Sequence, residues 1–519
     1  MAKYKSYNYS QTVMLPVSLE NQLMSGTIEF AIHTLVESEL DMSRFNERYK
    51  NDETGSKAYD PKVLLKIVLL AYARGIFTSR KIERACKENV VFMALSCGQE
   101  PDHSTIAPFV SSLQEEIVPL FRNVLLVCDK MNLLGGTEFA LDGLKLPSNA
   151  SKKWSGTIGN LKGKQLKLEE KVRQLLTTQI EADKKEEASQ AEDEKRKRQA
   201  ERLRKEAERL RKEAERLRKE AERIAKWLSE NEAKMGKQGR EIQSNVTDND
   251  SAKMMTSHGT IQGYNAQALV DEKHQVIVQG EASGSGQDHH HIPPVIDEAK
   301  KNMQAIGHDE HYFEGATVTA DSNYHSEVNI KKCVEEELDA YIPDKDFRSR
   351  DPRFEDLKEK YKSKKVRKYS LEDFRYDEEK DRYICPQGEE LRCTAKRIRH
   401  LKGKIYRQYT GDAGYCGGCI GKKLCIKRKK GNRKQLLILV GEEERNYSKE
   451  MIAKIDTEHG RKLYPHRIAI VEPVFANIRT NKRLDRFTLR GKIKVNIQWL
   501  LYCMVHNIEK IVHFGYATV

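Results

Sequence analysis

The feature that most constrains the fold is a stretch without glycine or proline that runs from Lys164 to Met235. Within it the unit RLRKEAE repeats in tandem. The repeat places apolar residues at alternating spacings of four and three, and these residues are Leu203, Ala207, Leu210, Ala214, Leu217, Ala221, Ile224 and Leu228. Such a seam flanked by mixed charge is typical of a coiled coil. Residues 161–240 are therefore predicted to form a coiled-coil insertion.

The charge balance points to an acidic polymer as the partner of this chain. There are 92 Lys and Arg residues against 78 Asp and Glu, which gives a formal net charge of +14 and a sequence pI near 9.0. Nucleic acid is the commonest such polymer, and a basic soluble protein without that role is the alternative. The length of 519 residues predicts two to four domains, each able to bury its own core. The charged fraction of 33% indicates long solvated helices or insertions beside these domains.

An antiparallel hairpin is the favoured arrangement of the coiled coil, because a single helix would be roughly 100 Å long at 1.5 Å per residue. The polar residues 181–195 can form the bend. A first apolar arm precedes them at Leu166, Leu168, Val172, Leu175, Leu176 and Ile180. The charged surface of the hairpin is either only solvated, or it contacts a second subunit or lies across DNA.

No segment of the sequence predicts a membrane association. The first residues, MAKYKSYNYSQTVML, lack the charged and apolar regions of a signal peptide. No apolar run approaches the ~18 to 20 residues that cross a bilayer. We therefore expect a cytoplasmic protein with no membrane partner. In a reducing compartment its ten cysteines argue against disulfides, and a clustered subset indicates a metal site or core filler.

Residues 1–135 are predicted to form a helical N-terminal DNA-binding domain. After the helix start at Asp60-Pro61, one buried helix face is predicted from the spacing of Val63, Leu64, Ile67, Val68, Leu70 and Ala71. Short helices in TSRKIERACKENVVFMAL and a turn in QEPDHSTIAPF are compatible with a helix-turn-helix. Packing alone would explain the same pattern.

Two acids stand in predicted strands and a third in a predicted helical region. Residues 137–146 form a strand that contains Asp142, two further strands follow at 264–270 and 274–282, and a helix begins after Pro293-Pro294. ATVTADSNY then predicts a strand ending at Asp321, and 339–343 another strand. Glu472 lies in the helical region that follows.

This order is that of an α/β protein with an RNase H-like mixed sheet, in which the first and fourth strands lie side by side. The core is predicted to comprise residues 136–160 with the first strand, 255–344, and the C-terminal helices at 441–519. Residues 345–440 are predicted to form a basic, cysteine-containing insertion with little capacity to build a core before QLLILV.

Several local motifs resemble those of bacterial insertion-sequence transposases of the DDE class. They are DGLK at 142–145, ADSNYHSE at 320–327 and YPHRIAIVEPVFANIR at 464–479, together with HSTIAPF at 103–109 and GYNAQALVDEKHQVIV at 263–278. The resemblance is to the group whose third motif carries Tyr, Arg, Glu and Lys in order. The elements occur in the right order over most of the chain.

The resemblance implies that Asp142, Asp321 and Glu472 are catalytic and hold two Mg²⁺ or Mn²⁺ ions, which prefer carboxylate oxygens. It also implies DNA contacts by Tyr464 and Arg467, and we expect further contacts from Arg479 and Lys145. The partners would be double-stranded DNA, both terminal inverted repeats and target, and a second subunit in a homodimer on DNA. The protein would be bacterial and associated with the nucleoid.

The third motif departs from the family pattern in two ways, and it also contains a proline that is unfavourable in a helix. Arg467 is five residues before Glu472, one more than the strict spacing. Arg479 stands where the pattern has Lys, and the two side chains contact phosphate differently. Pro473 disfavours α geometry at Glu472, so either a helix starts near Pro473 or a helix is kinked there.

Other candidate sites lie in the insertion and in a histidine run. Cys385, Cys416, Cys419 and Cys425, with Cys393 nearby, have a spacing compatible with a structural Zn²⁺ site or with free thiols. The basic run that begins with Lys427, Arg428, Lys429 and Lys430 is predicted to contact DNA, the alternative being a solvated loop. Asp288 and the three histidines after it are interpreted as a loop before a helix, since three adjacent residues cannot all point one way.

The resemblance therefore implies a transposase that binds the ends of its element, hydrolyses a strand and joins the resulting 3′ hydroxyl to target DNA. Two alternatives stay open: an RNase H-like nuclease without strand transfer, and an inactive or domesticated DNA-binding coiled-coil scaffold. A gene flanked by inverted repeats would favour the transposase.

Overall fold

A computed structural model describes residues 18–46, 48, 57–188, 194–236, 239–257, 259–354, 368–399, 405–426, 431–439 and 445–515. The chain forms two compact units. The first comprises residues 1–342 and 462–519, and the second comprises residues 343–461.

The helices are numbered here in chain order. They are α1 (Ile28–Thr34), α2 (Ser43–Asn46), α3 (Pro61–Ala73), α4 (Ser79–Glu88), α5 (Val90–Leu95), α6 (His103–Ser111), α7 (Ile117–Lys130), α8 (Ile158–Ala188), α9 (Glu194–Glu230), α10 (Ile292–Ala305), α11 (Glu327–Glu335), α12 (Phe347–Arg350), α13 (Ala413–Gly418), α14 (Lys422–Cys425), α15 (Tyr447–Ile455), α16 (Glu458–Leu463), α17 (His466–Ala476) and α18 (Lys492–Lys510).

The strands are numbered in the same way. They are β1 (Glu138–Pro147), β2 (Ser155–Gly156), β3 (Ser244–Asn245), β4 (Ala252–Thr256), β5 (Gly259–Asp271), β6 (Ile277–Ser283), β7 (Thr317–Ala320), β8 (Asp339–Tyr341), β9 (Arg375–Asp377), β10 (Arg382–Ile384), β11 (Glu390–Arg399), β12 (Ile405–Gly411) and β13 (Gln435–Leu439).

The first unit contains a mixed sheet in the order β5-β1-β7-β8, with β4 and β6 both paired to the outer edge of β5. Strands β1 and β5 are antiparallel, whereas β1, β7 and β8 are parallel to one another. This arrangement confirms the predicted α/β class with an RNase H-like sheet. It also brings the first predicted acidic strand beside the strand that precedes Asp321.

Helices cover the sheet. On one face α17 packs against β1, and α18 packs against β6. Helix α18 also contacts α3 and α7, so it joins the N-terminal helices to the sheet. Helix α10 packs against β6 and β5 and also contacts α11, which in turn packs against β8.

The N-terminal helices differ from the sequence prediction in two respects. Helix α3 begins as predicted, with Asp60 accepting a hydrogen bond from the Lys62 amide at 2.8 Å. However, residues 63–72 are all buried, so the prediction of a single buried face is wrong. The segment predicted as a turn also contains α6, whose start is capped by Asp102, which accepts from the Thr105 amide at 2.7 Å.

Helices α8 and α9 pack along each other in opposite directions. Near the start of α8, Leu161 lies in an apolar cluster with Ile224, which is close to the end of α9. Further along, Lys171 pairs with Glu213 at 3.5 Å. The base of this hairpin is closed by the pairing of β2 with β3 and by an apolar cluster of Trp154, Leu161, Ile224, Trp227 and Val246.

The second unit has its own antiparallel sheet, in the order β13-β12-β11-β10-β9. Its core contains Phe374, Leu391, Tyr409 and Leu436. The expectation of little core before QLLILV is therefore wrong. Hydrophobic alternation does not predict these strands, because β9 and β10 are short and charged residues occupy much of β11.

Among the described residues there is no helix with both the length and the apolar character that crossing a lipid bilayer requires.

Candidate functional site

Two carboxylates lie side by side on neighbouring parallel strands. Leu141 of β1 is paired with Ala320 of β7. The next residue on each strand is an aspartate, so Asp142 and Asp321 lie next to each other and on the same face of the sheet. The structure therefore brings together the first two predicted catalytic acids.

Local hydrogen bonds hold both carboxylates. Asp142 Oδ1 accepts from the amide of Gly143 at 2.8 Å. Asp321 begins a single 3₁₀ turn, Ser322–Tyr324, and accepts from the Asn323 amide at 2.8 Å and from Asn323 Nδ2 at 3.0 Å. The turn fixes the direction of the Asp321 side chain at the end of β7.

Arg467 of α17 is the positive group at this pair. Its Nη1 donates to Asp142 Oδ2 at 2.6 Å, and only 10% of its side chain is exposed. Burial raises the pKa of Asp142 above its usual range, the charge of Arg467 opposes this rise, and the charge of Asp321 adds to it. Arg467 Nε is buried without a hydrogen-bond partner among the described residues, and the guanidinium lies over the Tyr464 ring at 6.0 Å.

Glu472 lies on the same helix but faces a different way. The five-residue spacing from Arg467 rotates it by roughly 140° about the helix axis. Its exposed side chain lines a groove of about 760 Å³. The other lining residues are Leu144, Phe475, Ala476, Arg479, Thr480, Arg483 and Asp485.

Glu472 is therefore placed beside the acid pair rather than in it. Leu144, which lines the groove with Glu472, is two residues beyond Asp142 on the same face of β1. In the part of the chain that is described, no three His, Cys, Asp or Glu side chains are grouped closely enough to hold a metal ion. The assignment of Glu472 as third ligand stays a prediction.

The helix that carries Glu472 does not start at Pro473. It begins at His466, so Pro473 lies inside it, and it continues into a π-helical segment, Asn477–Asn481. Because proline has no amide hydrogen, the helix lacks one hydrogen bond directly after Glu472.

The other predicted DNA-contacting residues lie in different places. Arg479 is exposed in the groove with Glu472. Lys145 is three residues after Asp142, so it lies on the opposite face of β1. There its Nζ is 4.0 Å from Asp288 Oδ2. The predicted contacts at Lys427, Arg428, Lys429 and Lys430 lie outside the described residues.

A buried polar network behind the acid pair was not predicted. Asn265 Nδ2 and Gln267 Nε2 donate to Asp288 at 2.5 and 3.1 Å, and the Tyr324 hydroxyl donates to Gln267 Oε1. A Cβ at Gly143 would lie 2.4 Å from Gln267 Nε2, so the network needs a glycine there. These residues lie in or near the family motifs, which is the only signal for them in the sequence. Their contacts could not be predicted, because the partners are far apart in the chain.

The histidine run lies in a turn that directly precedes α10. This agrees with its interpretation as a loop before a helix. Asp288 at its start is buried and serves the polar network behind the sheet.

In the second unit, four thiols face one small cavity. Cys385, Cys416, Cys419 and Cys425 all line a volume of about 30 Å³. Burial raises the pKa of Cys425, the Lys434 charge lowers it, and charge on any of the other three thiols raises it. All four predicted zinc ligands are therefore gathered at one place, although they are not at ligand distances from a common point.

The backbone around Cys385 forms a tight turn toward its sulfur. The Gly388 amide donates to Cys385 O at 2.8 Å, and the Glu389 amide donates to Cys385 Sγ at 3.3 Å. Gly388 has a φ of 86°, which favours glycine. Cys393 does not line the cavity and instead packs against the core cluster that contains Leu391.

Three stretches of the chain match known protein families. A family described as a transposase domain matches residues 17–112. Two families, each described as a transposase DDE domain, match residues 234–408 and 384–512. No curated protein matches the chain.

The matched stretches cover most of the residues discussed above. Asp321 lies in the first DDE match, and Arg467 and Glu472 lie in the second. Asp142 and the helical hairpin lie between the matched stretches, so the hairpin interrupts the chain before the first DDE match begins. With its mixed sheet and the matches at both ends of this interruption, the chain belongs to the DDE transposases of insertion sequences.

Proposed function

We propose that this transposase cleaves DNA strands at the ends of its insertion sequence and joins the exposed 3′ hydroxyls to target DNA. The observation that carries the proposal is the pair of neighbouring aspartates, Asp142 and Asp321, facing Arg467. Like charges placed side by side and partly out of water favour a bound cation.

The aspartate pair fits the divalent metals that DDE transposase domains generally use. Carboxylate oxygens are the donors that Mg²⁺ and Mn²⁺ prefer. Asp142 and Asp321 would hold the ions, and Glu472 would complete the set from the adjoining groove. When bound, two such ions activate the attacking oxygen and stabilise the leaving oxygen of a phosphodiester.

Arginines around the pair would hold the DNA strand. Arg467, which is bonded to Asp142 and 10% exposed, would supply positive charge beside the acid pair where a phosphate lies. Arg479 and Arg483 line the groove beside Glu472 and present two more guanidinium groups to a phosphate backbone. The Tyr464 ring packs on Arg467 and would keep its guanidinium in place.

The second unit would hold a structural Zn²⁺ through Cys385, Cys416, Cys419 and Cys425. This proposal rests on the donor set, which is four thiols at one cavity, and on the amide that already donates to Cys385 Sγ. Tetrahedral thiolate sites with such amide donors are typical of structural zinc. The ion would add to the stability that this unit gains from its own core.

A cleavage assay separates the proposed function from its alternatives. DNA that carries the two ends of the element is incubated with the full chain, in Mg²⁺ and in chelator. A transposase should produce Mg²⁺-dependent nicks and joined products. It should also assemble as a homodimer on the paired ends. Nicks without joined products would indicate an RNase H-like nuclease. Binding without nicks would indicate an inactive scaffold.

A further inference from the structure

A second groove, separate from the acid pair, lies at the base of the helical hairpin. It has a volume of about 720 Å³, and four basic side chains line it: Lys152, Arg223, Arg486 and Arg490. None of its described lining residues is acidic. We call it the hairpin-base groove. Its charge is therefore uniformly positive.

The loop that carries two of these arginines is held by the core. The Phe487 amide donates to Pro147 O at 2.9 Å, and the Phe487 side chain is fully buried. The Thr488 amide donates to Gln498 Oε1 at 3.0 Å. Arg486 and Arg490, on either side of this anchor, are exposed. The groove thus presents its charges from a fixed backbone, and little conformational entropy is lost when they bind a ligand.

The repeat on α9 extends the same charge away from the core. In each RLRKEAE unit the lysine pairs with the glutamate four residues earlier, as Lys205 does with Glu201 at 2.7 Å and Lys212 with Glu208 at 2.7 Å. The first arginine of each unit behaves differently. Arg209 and Arg216 are exposed and form no ion pair with a described residue. We call these two the arm arginines.

The arm arginines and the groove lie on one side of the hairpin. Arg223, which lines the groove, follows Arg216 by seven residues, and Arg216 follows Arg209 by seven. Two helical turns return a side chain to nearly the same direction, at intervals of roughly 10.5 Å. The three arginines therefore form a straight row about 21 Å long that ends in the groove.

We propose that the hairpin-base groove and the arm arginines bind the phosphate backbone of a DNA duplex that continues beyond the cleavage site. A duplex is a straight polyanion with one charge per about 1.7 Å, which matches a straight row of exposed guanidinium groups. The loop also supplies Arg483 to the groove beside Glu472, so one segment serves both grooves. This inference rests on the proposed function, because it assumes that the chain acts on DNA.

The contacts are to phosphate, so any duplex sequence serves as the probe. Binding of a fluorescein-labelled duplex of about 30 base pairs is measured by anisotropy over a range of salt concentrations. The groove variant is Arg486→Gln with Arg490→Gln, and the arm variant is Arg209→Gln with Arg216→Gln. The matched control, Lys205→Gln with Lys212→Gln, removes the same charge from the same helix at residues that are already paired.

Each test variant should make the plot of log binding constant against log salt concentration shallower by about 2. Each lost phosphate contact reduces the steepness by about 0.9, and each variant removes two. The control should keep the wild-type slope. Arg486→Lys with Arg490→Lys should restore most of it, which separates lost charge from misfolding. Test variants with the slope of the control would overturn the inference. So would normal DNA binding with loss of self-association in sedimentation, which would indicate a protein partner. Cleavage by the wild type is scored separately, so failure of the proposed function is a distinct result.

Discussion

Arg467 Nη1 donates to Asp142 Oδ2 at 2.6 Å, across 325 residues of chain, and so joins the third family motif to the first. The bond neutralises part of the negative charge that Asp142 shares with Asp321. It also anchors α17 to β1. Removing one partner leaves the other charge buried without compensation.

Arg467→Ala should therefore lower the free energy of unfolding by about 3 kcal/mol, the usual cost of breaking a buried ion pair. The double variant with Asp142→Asn should recover much of this loss, because no unpaired charge is then left. Chemical denaturation of the two single variants and the double variant checks this. Additive effects of the two substitutions would show that the pair contributes no coupling energy.

Replacing the acids tests the catalytic assignment. Asp142→Asn, Asp321→Asn and Glu472→Gln should each abolish strand cleavage and leave binding of the element's ends largely intact, because each removes a ligand charge with little change of shape. Cleavage is measured on end-bearing DNA in Mg²⁺. A variant that cleaves within about tenfold of wild type loses its place in the triad. The test is most informative for Glu472, because its side chain faces the adjoining groove and not the aspartate pair.

Shortening the hairpin should leave the catalytic sheet folded. Replacing residues 173–216 with a Gly-Ser linker keeps the base cluster that contains Ile224 and Trp227. Metal-dependent nicking should persist and circular dichroism should show less helix, while paired-end assembly should fall if the arm contacts DNA or a partner subunit. Replacing residues 165–232 also removes the two cluster residues and should cost several kcal/mol more, at about 2 to 5 for each large side chain. If the shorter replacement abolishes cooperative melting, the arm is part of the core.

Elemental analysis of the purified chain should find one zinc ion per chain. Cys416→Ser should lose this ion, and Cys393→Ser, which changes a thiol that packs on the core instead, should retain it. Chelation, or deletion of residues 385–430, should destabilise the second unit without unfolding the first. Wild-type protein without stoichiometric zinc would contradict the zinc proposal.

His506 should make the first unit sensitive to acid. It is buried, its Nε2 lies 2.9 Å from Gln275 O, and burial lowers its pKa from 6.5 to about 3. Between pH 6.5 and about 3, His506 is therefore protonated in the unfolded chain and neutral in the folded chain. Stability that is present above pH 6.5 is lost as the pH falls toward about 3.

His506→Gln should flatten this dependence, measured as the urea midpoint of the first unit between pH 6.5 and about 3. The exposed His513 of the same unit provides the control, and His513→Gln should keep the wild-type slope. Equal slopes for wild type and His506→Gln would mean that other groups cause the acid sensitivity.

Much of the architecture could be predicted because it follows from local patterns. The heptad spacing from Leu203 to Leu228 predicts a coiled coil whatever surrounds it, since the period belongs to the helix itself. The strands that carry or precede Asp142 and Asp321 are short apolar segments bounded by turn residues, and their order indicates the mixed sheet. By contrast, the sequence predicts one buried face for α3, whereas neighbouring elements bury all of residues 63–72.

The arrangement of the site depends on contacts between segments far apart in the chain. The parallel register of β1 with β7 places Asp142 beside Asp321, and no local pattern encodes a register between strands that lie so far apart. The direction of Glu472 depends on how α17 is rotated against the sheet. In this rotation Ile470, Val471 and Val474 are buried and Arg467 bonds to Asp142. The hairpin-base groove forms only where residues of β1, α9 and the loop before α18 meet. A sequence pattern indicates which residues share a helix face or a strand face. Which faces pack against each other depends on the free energy of packing across the whole unit.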